Sequence, residues 1–182
     1  VHADAVSPNL AEIGYRKGVS MGGDLVFQER ETPPNFLLSA MRDPNGANLD
    51  RIQIIKGWQD QEGVLREKVY DVAWSGDRSI GVDGKLPAIQ SYVNVTEASY
   101  RNTAGAPYLG VVWTDPDFSP HESSFYYARV IAIPTPRWNT YDARVYGQEV
   151  RLIAESPWDG RAQTVPATIQ ERAYSSPIWF KP

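Results

Sequence analysis

Cysteine is absent from the chain of 182 residues, which removes disulfides, thiolate nucleophiles and cysteine-held zinc or iron–sulfur sites together. Histidine is nearly absent too. His2 and His121 stand far apart in sequence, and a two-metal hydrolytic centre needs several His and carboxylate ligands converging on its ions. No apolar run approaches the roughly 20 residues that span a bilayer as a helix, and the first residues lack a charged-then-apolar signal pattern. Charge of one sign is scarce as well: 18 Lys and Arg against 22 Asp and Glu leave a net charge of −4. With no basic stripe, neither nucleic acid nor membrane is an expected partner. Lack of cysteine suits cytoplasm and periplasm equally.

What is present is ordinary globular material, 42% hydrophobic and 22% charged, enough for one domain with a real core. Val1 to Asn9 is polar and aperiodic and reads as a linker or appended arm; residues 10–182 read as a single domain. Because the chain starts at Val1 rather than Met, we expect a C-terminal fragment whose partner domain lies upstream in the same protein.

The organising stretch runs from Ser123 to Trp138. Phe125 to Ile133 is dense in aromatic and β-branched residues, which favour a pleated, half-buried backbone. Tyr126, Ala128, Val130 and Ala132 fall on one face, small enough to lie against a second sheet; Phe125, Tyr127, Arg129, Ile131 and Ile133 fall on the other. Pro134 and Pro136 then end the strand, since neither can donate a ladder hydrogen bond.

Other strands are expected at Phe36–Met41, Asp50–Trp58, Leu65–Trp74, Tyr92–Tyr100, Leu109–Trp113 and Thr168–Tyr174 with its continuation to Phe180. The second and third form a hairpin about Asp60-Gln-Glu-Gly63. A Ser-Pro break after Tyr174 reads as a bulge or edge crossing. Leu10 to Leu25 is read as a glycine-rich turn region; its Met-Gly-Gly-Asp lacks the Lys-Ser/Thr of a phosphate loop. Asn139 to Ala167 is a long loop with a short helical turn near Tyr141–Tyr146. Short strands without a βαβ rhythm indicate an all-β fold. We expect an antiparallel β-sandwich, immunoglobulin/fibronectin-III-like, of about seven strands with a long loop between the last two. Tyr126 is a candidate for the buried tyrosine that pins a sandwich corner through its hydroxyl.

Asp43, Asn45, Asn48 and Asp50 are oxygen donors that could surround Ca²⁺, but their spacing departs from the twelve-residue calcium loop and no bidentate Glu closes it, so a hydrogen-bonded Asx turn capping two strands is the plainer reading. Arg137, Trp138 and Asp142, with Glu171 and Arg172 on the following strand, are candidates for a substrate mouth or domain interface. An Arg clamps an anion bidentately and a Trp forms an apolar wall. The plainer alternative pairs Arg137 with Asp142 or Glu171 and packs Trp138 under the long loop. No nucleophile elbow or local acid/base constellation is visible, so no catalytic residue is assigned.

Several ordered segments carry a resemblance: Gly18-Val-Ser-Met-Gly-Gly-Asp-Leu25, Asp43 to Ile54, Glu67 to Trp74, Val112 to Phe118, Phe125 to Val130, Ile133 to Trp138 and Ile169 to Trp179. From Leu10 onward the chain resembles the C-terminal part of a bacterial family catalogued only as a domain of unknown function. The upstream part of longer members resembles metal-dependent hydrolases of the polymerase-and-histidinol-phosphatase (PHP) class, which hold divalent metals with clustered His and Asp. The resemblance implies an accessory domain, without cofactor or catalysis of its own, that packs on a PHP-like metallohydrolase or phosphoesterase domain and lines its substrate mouth. The alternative is a carbohydrate-binding module, suggested by six Trp and ten Tyr on an acidic chain. Against it, Trp58, Trp74, Trp113 and Trp179 fall where strands need core residues.

Overall fold

The computed structural model describes residues 9–26, 32–147, 154–155, 162–163 and 165–182. In chain order these form α1 (Leu10–Lys17), β1 (Asp24–Val26), β2 (Asn35–Met41), β3 (Leu49–Gln59), β4 (Leu65–Trp74), β5 (Val93–Asn94), β6 (Ser99–Tyr100) and β7 (Tyr108–Thr114). There follow β8 (Ser124–Ala132), β9 (Thr135–Pro136), α2 (Trp138–Tyr146), β10 (Ala154–Glu155), β11 (Ala162–Gln163), β12 (Thr168–Ile169), β13 (Arg172–Tyr174) and β14 (Ile178–Lys181). The described chain is therefore mostly β. It is built from open sheets with no closed barrel among the described residues, an arrangement consistent with a β-sandwich.

One sheet of six strands dominates, in the order β1-β14-β8-β3-β4, with β13 also on β8. β8 is its axis, as the density of aromatic and β-branched residues implies: it pairs with β3 along one edge and with β13 and then β14 along the other. Between those two segments the Ser-Pro break is an edge interruption. The Ala128 N–H donates at 2.9 Å to the Ser175 hydroxyl instead of to a carbonyl, so a side chain substitutes for one rung of the ladder. The β3–β4 hairpin forms with the expected turn. Asp60 accepts the N–H groups of Glu62 and Val64, and Gly63 supplies the positive φ, +80°, that a side chain would strain.

A separate ribbon, β2 paired antiparallel with β7, lies across one face of this sheet. Phe36 from β2, Ile54 from β3, Tyr126 from β8 and Phe180 from β14 make its main core, with Trp113 of β7 packed on them. Leu49, Ile52 and Leu109 continue it toward the other end. Tyr126 is buried as expected, and its hydroxyl donates to Asp115 Oδ2 at 2.7 Å. The pin thus ends on a carboxylate in the turn after β7.

Three expectations need correction. Leu10–Lys17 is a helix rather than part of a turn region: Leu10, Ile13 and Gly14 recur at helical spacing, and Gly18 ends the run by bonding back to the Gly14 carbonyl. Tyr92–Tyr100 is not one strand. The Asn94 side chain accepts the Glu97 N–H and Ala98 takes a positive φ, +44°, which folds the segment into the tight β5–β6 pair. The helical turn expected near Tyr141–Tyr146 forms but is longer, starting at Trp138 as α2, and its head is held where the Thr140 hydroxyl donates to the Ala167 carbonyl at 2.6 Å. The Val1–Pro8 part of the arm and most of 148–164 lie outside the described residues.

Candidate functional site

Two buried ionic clusters fix the ends of the central sheet. Lys56 lies mid-strand in β3 and is almost wholly buried. Its ammonium donates to Asp115 Oδ2 at 2.7 Å and to the Asp117 carbonyl at 2.6 Å. It also stands over the Trp58 and Tyr126 rings, 5.2 and 5.7 Å from their centroids. Asp115, fully buried, accepts the Asp117 N–H as well as the Tyr126 hydroxyl. At the rim Asp117 accepts from Lys68 and from the Tyr70 hydroxyl. Those two bonds, Lys68 first, lower the Asp117 pKa. Burial raises the Tyr70 pKa, and its bond to Asp117 adds to that; burial raises Tyr126 likewise, reinforced by Asp115. Lysine, carboxylates and tyrosines in one cluster have the vocabulary of acid–base chemistry. Here Lys56, Asp115, Tyr126, Lys68 and Tyr70 are each hydrogen-bonded within the cluster, which clamps the turn after β7 to the sheet.

The second cluster grows from a bulge. The register of β3 against β8 slips between Leu49 and Arg51, which turns Asp50 inward. Its carboxylate accepts from Arg78 at 2.6 Å, Arg51 at 3.1 Å and Gln170 at 3.1 Å. Asp50 is therefore held by three side-chain donors. Asp43 caps the Asn45 N–H in an Asx turn, and the Asn48 amide donates to the carbonyls of Asn102 and Ala104. Of the four oxygen donors proposed as a cation site, Asp43 and Asp50 thus serve separate structural partners. Among the described residues, no three His, Asp or Glu side chains are grouped as metal ligands.

The face of the central sheet opposite the β2–β7 ribbon carries a row of rings. Residues that oppose one another across antiparallel strands share a face. Trp179 is opposite Phe125, Tyr174 is opposite Arg129 and Arg172 opposite Ile131, and Phe125, Tyr127, Arg129 and Ile131 alternate along β8. The rings touch in succession: Trp179–Phe125 at 5.2 Å, Phe125–Tyr127 stacked at 6.4 Å, and Tyr127–Tyr174 at 6.3 Å between centroids. Gly57 of β3 makes room for the row, since a Cβ there would sit 2.3 Å from the Phe125 ring. Trp179 and Tyr174 are nonetheless 44% and 56% exposed. Beyond the rings the face turns polar: Arg129 donates to Gln53, Gln53 to Asp71, and Arg51 reaches Asp71 and the Leu86 and Pro87 carbonyls.

The sequence candidates divide between two places. Arg172 belongs to this ring-bearing face, while the neighbouring Glu171 is exposed and its carbonyl accepts the Ala132 N–H. Arg137 and Trp138 sit instead at the head of α2, Arg137 as its cap residue, and Asp142 lies midway along the same helix. Neither Asp142 nor Glu171 pairs with Arg137, whose buried Nε has no hydrogen-bond partner, and Trp138 is 61% exposed rather than packed under a loop. Trp179 corrects a second expectation, since it stands on the open face instead of in the core. The alternation of Phe125, Tyr127 and Arg129 marks one side of β8, and the pairing of Trp179 with Phe125, which puts it on that side, is visible only in the structure. Lys56 and Asp115 were missed outright; the usable sign was a lone lysine inside the apolar run Ile54-Ile-Lys-Gly-Trp58.

No helix among the described residues is long and apolar enough to cross a membrane. A family model described as a protein of unknown function, DUF3604, matches residues 1–182. Neither a curated protein nor a solved structure matches the chain.

Proposed function

The chain belongs to the DUF3604 family of proteins of unknown function, and from that premise we propose that it is a non-catalytic accessory domain. It docks on an upstream, PHP-like metallohydrolase domain of the same bacterial protein. The observation that carries this is the ring-bearing sheet face, where Trp179, Phe125, Tyr127 and Tyr174 form a continuous apolar row left partly open to solvent. Large aromatic rings of this kind anchor protein interfaces, and Arg172 at the edge of the row is the other side chain most enriched there. Arg137, with its unpartnered Nε, and the exposed Trp138 beside it are the residues offered to the substrate mouth. In the same proposal the two-layer fold is an immunoglobulin/fibronectin-III-like sandwich.

The test joins the upstream region to this chain and measures metal-dependent hydrolysis of phosphate and sulfate esters with Mn²⁺ or Zn²⁺. The joined protein is expected to be active and the isolated chain inactive. Trp179→Ser is expected to abolish activity in the joined protein by loosening the docked domains while leaving the thermal transition of the isolated chain in place. Arg137→Ala is expected to lower kcat/KM with the fold intact. Hydrolysis by the isolated chain at a rate comparable to the joined protein would overturn the proposal. The exposed rings also favour carbohydrate stacking as a second reading. A glycan-array signal from the isolated chain that vanishes in Trp179→Ala would select it.

A further inference from the structure

Among the described residues the second layer of the fold is unfinished on one side. There β2 pairs with β7 along one edge only, and beside its other edge runs an open cleft of about 1130 Å³. Ile54, Ala128 and Val130 of the central sheet line its floor, and α1 lines the far wall. That volume exceeds the roughly 300–1,000 Å³ of small-ligand sites, and the cleft lies along the whole of β2. The Arg42 N–H donates to the Pro107 carbonyl, so by the alternation of an antiparallel ladder the even-numbered residues of β2 bond to β7. The N–H and C=O groups of Leu37, Ser39 and Met41 therefore point away from β7, along the cleft.

An edge of this kind is normally blunted by charge, proline, a bulge or shortness, because it templates strand pairing. The edge strand β4 follows that practice with Arg66, Glu67 and Lys68. β2 does not: Asn-Phe-Leu-Leu-Ser-Ala-Met is seven residues long, uncharged and proline-free, and its register against β7 is unbroken. Free backbone groups identify the missing neighbour as another extended backbone, and the apolar floor identifies what that backbone carries. We propose that β2 and its cleft accept an extended strand from a partner polypeptide, extending the β2–β7 ribbon to three strands. The strand is uncharged, about seven residues long to match β2, with bulky apolar side chains at alternate positions. Those side chains fill the space that the small Ala40 and Ala128 leave open. A second folded copy does not fit the role, because it would bring its own central sheet into the space beneath the added strand. The floor of the cleft is the side of the central sheet that faces the β2–β7 ribbon, and Tyr127, Arg172 and Tyr174 of the ring-bearing face border it as well.

The experiment uses the whole chain and a panel of synthetic heptapeptides alternating Thr with Val, Leu, Ile or Phe. Each peptide has a control of the same sequence N-methylated at alternate amides, which keeps the apolar side chains and removes the backbone donors. Amide hydrogen exchange by NMR is expected to show Leu37, Ser39 and Met41 exchanging fast in the free chain. At least one peptide should slow them at least tenfold, and its methylated control should bind at least tenfold more weakly. Ser39→Pro removes an outward N–H that β7 does not use and should abolish the protection; Ala128→Leu, which fills the cleft floor, is the second variant if the first does not fold. Four results overturn the proposal. These are no protection with any peptide, equal binding of methylated and unmethylated forms, concentration-dependent protection in the free chain from self-association, or occupation of the cleft by decanoate but by no peptide.

Discussion

Replacing Lys56 by Met removes one charge of a buried pair and little else, because the methionine fills most of the space of the lysine stem. Asp115 would then remain as a buried carboxylate that has lost its 2.7 Å partner, and the Asp117 carbonyl would lose its 2.6 Å donor. Removing one member of a buried ion pair costs about 3–5 kcal/mol, since the other stays desolvated and uncompensated. Asp115 keeps the Tyr126 hydroxyl and the Asp117 N–H, which places the expected loss near the lower end, about 3 kcal/mol. For a chain of this length each kcal/mol moves the thermal midpoint by about 2–4 °C, so a fall of about 6–12 °C is expected. Urea unfolding followed by tryptophan fluorescence should show the same loss as a lower midpoint at unchanged slope. The double variant Lys56→Met/Asp115→Asn no longer buries a charge and should recover at least about 1 kcal/mol relative to additivity. A Lys56→Met loss below about 0.5 kcal/mol, the size of an ordinary surface change, would refute the clamp. So would strict additivity in the cycle.

Acid should loosen the same end of the fold: Lys68 and Tyr70 lower Asp117, and Arg66 lowers Asp60, so protonation favours the unfolded chain. The stability these carboxylates supply is complete above their unfolded pKa near 4 and is lost as pH falls through the lower folded values, readable as a drop in thermal midpoint below about pH 4. The tyrosines act in the opposite direction. Tyr70 and Tyr126 have raised pKa values, so their contribution is complete below about pH 10 and declines above it, where only the unfolded chain ionises. An absorbance titration of tyrosinate should show two phenols that ionise only together with unfolding, and Tyr126→Phe should remove one of them. Gly105→Ala places a Cβ at a φ of +79°, within 2.6 Å of Asn48 and 2.7 Å of Ile133; about 2–3 kcal/mol of destabilisation is expected in urea melts.

The parts of the fold carried by local pattern were legible. The apolar alternation of β8 and the polar turn ending in Gly63 define the axis of the sheet and its hairpin, because strand periodicity and turn chemistry act over a few residues. Tyr126 could be singled out for the same reason, as an aromatic on the small-residue face. What escaped notice depends on distance along the chain. Lys56 meets Asp115 across 59 positions, and nothing local marks either as the other's partner. Asp50 looked like a cation ligand because its neighbours are oxygen donors, but the bulge that aims it at Arg51, Arg78 and Gln170 is a property of strand pairing. Trp179 was misplaced since alternation shows which residues share a face and is silent on whether a layer covers that face. Periodicity likewise put helix content at one short turn, because α1 and α2 are short, lack a side-chain cap at their first turn and end only on the backbone bonds of Gly18 and Gly147.

Whether the ring-bearing face is a domain interface can be read at single residues by hydroxyl-radical footprinting with mass spectrometry, comparing the isolated chain with the chain joined to its upstream region. Docking predicts that Trp179 and Tyr174, 44% and 56% exposed in the chain alone, become strongly protected in the joined protein while exposed Tyr15 stays reactive. Unchanged oxidation of Trp179 and Tyr174 on joining would contradict it.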